Sequence, residues 1–255
     1  MGKARRPAIL FIHEWSQHHL CWAKQYESAL ADEFRLIAFD LRGHGMSDAP
    51  LEPEHYTDGK LWADDLAAII EKLRLDRTVL VAWSYGAFVI CDYVRAHGED
   101  RVAAINFVEG VVKLRPAAFG TLIGPGSSTT SRARPPTICR RTSPPCVRAS
   151  VPGHALPAAD IETALSWNIV GPARVRANLA AREIDDDVLR TLTVPVLVTH
   201  GRADSIALPA MAEHIVATCP TAEASWYDSI GHAPHLEDAE RFNRELAALS
   251  TRMLA

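Results

Sequence analysis

The chain alternates short, continuously apolar runs with longer stretches in which apolar residues recur at helical spacing. Residues 8–12, 36–39, 79–83, 102–108, 194–199 and 222–227 read as strands. Unbroken runs such as Ala8-Ile-Leu-Phe-Ile12 suit a sheet buried on both faces. Residues 22–32, 60–75, 86–96, 211–217 and 239–249 read as helices. Within 60–75, Leu61, Ala68, Ile69 and Leu73 recur on one face, while Asp64, Asp65, Glu71 and Lys72 supply the wet one. Strands alternating with helices predict β-α-β units, hence an α/β fold with a mostly parallel central sheet flanked by helices.

Residues 113–192 break the alternation. Lying between two strands of one sheet, they are expected to form an inserted, mainly helical lid on a core built from 1–112 and 193–255. Ile161, Leu165, Val175 and Leu179 give the stretch 160–189 a helical pattern, with Trp167 available to line a substrate pocket. The stretch 126–152 (GSSTTSRARPPTICRRTSPPCVRASVP) differs, and is expected to be poorly ordered. No Asp or Glu occurs from Gly110 to Ala159, although the chain holds 31 acids. Two readings stay open: a basic loop, or a local change of reading frame in GC-rich coding DNA.

Composition narrows the function. The 255 residues are 48% hydrophobic and 23% charged, enough to bury a sizeable core. A net charge of −4 argues against a nucleic-acid binder held by phosphate contacts. No apolar run approaches the ~18 residues of a membrane span, and the apolar stretch after Lys3, Arg5 and Arg6 is too short for a secretory signal. Five cysteines without C-x-x-C spacing fit thiols in a reducing cytosol, so a cytoplasmic location is expected. Cys21, Cys91 and Cys219 read as small packing residues.

Four segments carry chemistry. Ala82-Trp-Ser84-Tyr-Gly86 joins a strand to a helix, with small residues on either side of a serine that must project from a sharp turn. Such a string occurs by chance in about one chain in five of this length, so its placement is what gives it weight. His200-Gly-Arg-Ala-Asp204 puts a carboxylate beyond a strand's C-terminal end, where open α/β sheets hold ligands. Gly231-His232-Ala-Pro-His235 follows the final strand. A serine nucleophile needs an imidazole base, and that base needs an acceptor to hold one tautomer. After the first strand, Phe11-Ile-His13-Glu14-Trp15-Ser16 can aim the Trp15 N–H at a developing oxyanion, beside that of Tyr85.

With Phe39-Asp-Leu-Arg-Gly-His-Gly-Met-Ser-Asp48, these segments resemble the α/β-hydrolase superfamily, in particular its lidded serine esterases and cofactor-free haloperoxidase-like perhydrolases. The resemblance covers residues 8–112 and 193–252. It implies Ser84 as nucleophile, His232 as base, Asp204 as orienting acid, and the main-chain N–H groups of Trp15 and Tyr85 as oxyanion donors. Glu109, at a position some relatives use for the acid, rivals Asp204, and His235 rivals His232. Arg42, His44 and Asp48 match an architectural turn. The chain departs from the family in Glu14, where glycine is usual, in Ala82, and in lacking the leading two-strand hairpin, which would leave a sheet edge unpaired.

The expected activity is hydrolysis of small carboxylic esters or lactones through an acyl-enzyme, with peracid formation as a side reaction. Alternatives are a C–C bond hydrolase of diketone-type substrates and a catalytically silent ligand-binding protein. Neither metal nor organic cofactor is implied. The expected partner is a small-molecule ester, with no nucleic acid and no membrane, and the chain is expected as a monomer or homodimer.

Overall fold

Six apolar runs become the strands of one all-parallel sheet: β1 (Ala8–Ile12), β2 (Arg35–Phe39), β3 (Thr78–Trp83), β4 (Val102–Val108), β5 (Val196–Gly201) and β6 (Ala222–Tyr227), in the order β2-β1-β3-β4-β5-β6. The computed structural model describes residues 6–114, 116–125, 175, 178–179, 182 and 185–254. The expectations for 126–152 and Trp167 lie outside the described residues, as does most of the expected lid.

Side chains alternate across the sheet, which gives it two cores. Leu10, Ile12, Leu80 and Ala82 pack on one face with Trp62 and Leu66 of α1 (Gly59–Lys72), Phe88 and Cys91 of α2 (Gly86–His97), and Met211 and Ile215 of α3 (Pro209–Thr218). Ile9, Phe11, Val79, Val81 and Trp83 pack on the other with Trp22, Phe34, and Phe242 and Leu246 of α4 (Ala239–Leu254). Each large side chain removed from water in these cores contributes about 1.5–3 kcal/mol. Val175 and Leu179, from the stretch between β4 and β5, join the first core.

One helix differs from expectation. Residues 22–32 form two short helices, Ala23–Tyr26 and Leu30–Glu33, after a 3-10 turn at His19–Trp22. Ser28 divides them: its hydroxyl donates to the Gln25 carbonyl at 2.8 Å and accepts from the Leu30 N–H at 3.2 Å. A short polar side chain that satisfies main-chain groups locally competes with a continuing helix.

The strand order positions the site. The chain runs from β1 outward to the edge strand β2, then returns to the other side of β1 to begin β3. The connections after β1 and β3 therefore leave in opposite directions and open a crevice at the strands' C-terminal ends. Ile12 and Ala82 are paired neighbours there, so His13–Trp15 and Ser84 emerge side by side.

Candidate active site

Ser84 stands at the tip of the β3–α2 turn with φ 49°, a left-handed conformation that a side chain disfavours. Neighbouring main chain holds it there: Ser84 N–H donates to the Val108 carbonyl at 2.9 Å, and the Ser84 carbonyl accepts from Val111 N–H at 3.0 Å. Gly86 is needed because a Cβ there would lie 2.9 Å from the Ile12 carbonyl oxygen and 3.1 Å from that of His13. The loop after β1 is thus pressed against the turn, and the rings of Trp15 and Tyr85 meet edge to face with centroids 5.7 Å apart.

His13 organises that loop. Its Nδ1–H donates to the Glu14 carbonyl at 2.8 Å, and its Nε2 accepts from Leu41 N–H at 2.9 Å. Burial, reinforced by His44, pushes its pKa down to about 3, so the ring is neutral. The Asp40–Asp48 turn is likewise architectural. Arg42 grips Asp65 at 2.7 and 2.8 Å and also donates to the main-chain carbonyls of His55 and Leu61.

His232, from the loop after β6, meets Asp204, from the loop after β5. Its Nδ1–H donates to Asp204 Oδ2 at 2.6 Å, with both side chains fully buried. Gly201 makes the approach possible, since a Cβ there would lie 2.2 Å from the Ile230 carbonyl oxygen and 2.4 Å from that of Gly231. The Trp83 indole N–H holds the His232 carbonyl at 2.6 Å, and Glu237 accepts the N–H groups of Gly231 and Ala233 at 3.1 and 3.2 Å. Asp204 Oδ1 accepts from Ile206 N–H at 2.7 Å. His235 lies elsewhere, packed between the rings of Trp22 and Trp83, and burial pushes its pKa well down.

Behind this pair lies a second buried carboxyl. Glu109, at the end of β4, accepts from Gly201 N–H at 2.5 Å and has Oε2 2.9 Å from His200 Nδ1. His200 Nε2–H donates to the Ala207 carbonyl at 3.1 Å, which leaves Nδ1 as the bare nitrogen. Burial brings the His200 pKa down to about 4. Burial, then the charge of Asp204 and a hydrogen bond to it, push the Glu109 carboxyl well above the usual range, so Glu109 holds a proton. Burial also opposes ionisation of Asp204, but the His232 charge and hydrogen bond outweigh it and hold that carboxyl low.

Glu14 faces the other side of His232. Its Oε2 lies 3.5 Å from His232 Nε2, and among the described residues that nitrogen has no hydrogen-bond partner. Burial alone would lower the pKa of His232. Asp204 first and Glu14 second outweigh burial and raise it to about 10.

Among the described residues, two groups of three offer metal-ligand atoms within 4.8 Å of one another. Glu109, Asp204 and His232 are the hydrogen-bonded cluster above. In the second, His18, His19 and Asp40, the aspartate already accepts the main-chain N–H groups of His19 and Met46, each at 2.8 Å.

The chain matches known proteins over most of its length. The profile of the alpha/beta hydrolase family aligns with residues 9–245. The chain belongs to the alpha/beta hydrolase family. It is similar to the non-heme haloperoxidase of Rhodococcus erythropolis, 29% identical over 93% of this chain and 90% of that protein. It is also similar to the pimeloyl-[acyl-carrier protein] methyl ester esterase of Vibrio cholerae, 24% identical over 96% of this chain and 94% of the relative. Among solved structures, the esterase RhEst1 from Rhodococcus sp. ECU1013 superposes with a TM-score of 0.91 and 32% identity, covering 99% of this chain and 93% of the other. For this alpha/beta hydrolase the fold and the relatives support hydrolase activity. No helix among the described residues is long and apolar enough to cross a membrane.

The structure brings Asp204 and His232 together, and it sets Trp15 beside Tyr85 next to Ser84. Among the features that escaped the reading of the sequence are two buried pairings. Arg182 is buried against Tyr85 and Asp92, and His200 lies against Glu109. Neither carried a signal, because each pairing depends on elements far apart along the chain.

Proposed function

We propose that this chain is a serine hydrolase of small carboxylic esters or lactones. The observation that carries the reading is the 2.6 Å contact from His232 Nδ1 to Asp204, in a chain whose Ser84 is held at φ 49° on a strand-to-helix turn. Neutral His232 Nε2 removes the Ser84 proton as Oγ attacks the acyl carbon, and the carbonyl π electrons move to oxygen. The oxyanion so formed is placed against the main-chain N–H groups of Trp15 and Tyr85. As it collapses, the ester C–O bond breaks and His232 delivers its proton to the leaving alcohol. Water then attacks the acyl-enzyme with His232 again as base, releasing the acid and restoring Ser84. Hydrogen peroxide in place of water releases a peracid, a side reaction that the likeness to the haloperoxidase makes reasonable.

A p-nitrophenyl ester series on purified protein, run beside Ser84→Ala, tests the reading. Turnover that falls at least about a thousandfold in the variant supports it. Equal turnover in both proteins overturns it. Cleavage of a β-diketone with negligible ester turnover assigns the C–C bond hydrolase instead, and a folded protein inert to both is the binding module.

A further inference from the structure

We propose that Glu14 is a positioning residue that holds the base in its protonated form at rest, occupying the place at His232 Nε2 that the Ser84 hydroxyl must take before reaction. This inference rests on the serine-hydrolase reading above. Glu14 follows β1 on a loop fixed by the two hydrogen bonds of His13, its side chain is 11% exposed, and its Oε2 stands 3.5 Å from Nε2. At that separation, long for a hydrogen bond, Glu14 favours the imidazolium through polar contact and charge together. The histidine is therefore flanked by two carboxylates: Asp204 fixes Nδ1, and Glu14 faces the nitrogen that must be bare to accept the serine proton.

Among the described residues, no other group facing His232 cancels this bias. Glu109 holds its own proton, and His200 and His235 are kept neutral by burial. Glu237 is turned to the N–H groups of Gly231 and Ala233. Two carboxylates on one ring stabilise the imidazolium, in line with a His232 pKa raised to about 10. At neutral pH the resting site is therefore one proton away from the form that activates serine. Substrate must displace Glu14, or the solution must become alkaline, before Nε2 is both bare and accessible.

The test is the pH dependence of two quantities in the full-length wild type, Glu14→Gln, Glu14→Ala and Glu14→Asp. One is kcat/KM for p-nitrophenyl acetate between about pH 5 and 11, corrected for spontaneous hydrolysis, a range that includes the wild-type value of about 10. The other is the nitrogen NMR titration of the His232 ring, assigned by its loss in His232→Gln, which needs no turnover. The expected result is a midpoint lowered by about one unit or more in both Glu14→Gln and Glu14→Ala, a tenfold gain in neutral imidazole at pH 7 for each unit. Glu14→Asp, which keeps the charge, is expected to restore much of the alkaline midpoint. Should one neutral variant fail to fold, the other carries the same reading. A His232 midpoint that moves by less than about 0.3 unit in the neutral variants overturns the role of Glu14. Ester turnover that survives Ser84→Ala overturns the serine-hydrolase reading instead, and the two failures are told apart because the ring titration does not depend on turnover.

Discussion

Arg182 and Asp92 form an ion pair whose side chains are almost wholly removed from water, 3% and 5% exposed. The guanidinium also donates to the Tyr85 hydroxyl at 3.0 Å and lies over the rings of Trp62, Tyr85 and Phe88 at 5.5–5.8 Å. One residue of the stretch between β4 and β5 is thereby locked to α2 and to the side chain next to Ser84.

Removing one partner leaves an uncompensated buried charge, which costs about 3–5 kcal/mol, whereas replacing both with apolar groups of similar size is often neutral. Arg182→Met and Asp92→Leu are therefore expected to be severely destabilised in urea unfolding, and the double variant to recover most of the loss. Equal stability of each single variant and wild type would show that the pair does not tie that stretch down.

The two carboxyls behind His232 are expected to respond in opposite ways. Asp204→Asn cannot accept from Nδ1–H in the same way and leaves the ring free to adopt the wrong tautomer, so kcat is expected to fall by about 10³–10⁴. Glu109→Gln keeps an oxygen for Gly201 N–H and an N–H donor where the protonated carboxyl had its O–H, so turnover is expected to stay within about tenfold. Steady-state kinetics decides, and the reverse pattern would assign the acid to Glu109.

Glu109 also makes a pH-dependent contribution to stability. Its folded pKa is raised above the unfolded carboxyl value of 4.5, so the stabilisation attached to its proton is full below that value. It is lost progressively as the pH rises above that value, because only the unfolded chain then releases the proton. Glu109→Gln removes the dependence. Urea unfolding at intervals from about pH 5 to 8 is expected to show the variant gaining on wild type as the pH rises. A constant difference would contradict a protonated Glu109.

Gly201 tests how tightly the His232 loop must cross β5. An alanine methyl would lie 2.2 Å from the Ile230 carbonyl oxygen, which is main chain and cannot rotate away. Gly201→Ala is expected to lose about 1–3 kcal/mol and most ester turnover, as the loop moves and the His232–Asp204 contact opens. A thermal melt and an activity assay check both. Unchanged activity with lowered stability would mean that the contact tolerates the shift.

Much of this site was legible before any coordinates. In a parallel sheet, ligand-facing side chains gather at strand C-termini, and the candidate residues Ser84, Asp204 and His232 each follow an expected strand closely enough to be placed there. The small residues around Ser84 had a steric reason that the structure makes explicit at Gly86. What stayed hidden depends on direction rather than residue type. Glu14 was visible as a departure from the family, but not that its side chain turns inward onto His232. The pairing of Glu109 with His200 requires β4 and β5 to be neighbours, and Arg182 sits in a stretch whose periodicity says nothing about a buried cation. Ser28 divided a helix that hydrophobic spacing alone predicted as continuous.

Whether the hydroxyl at position 84 becomes an attacking alkoxide is answered by intact-mass spectrometry after reaction with a fluorophosphonate. The proposed mechanism requires one adduct per wild-type chain, mapped to the peptide containing Ser84 and lost in Ser84→Ala. Stoichiometric labelling that persists in the variant, or none on a wild-type chain shown to be folded, would contradict it.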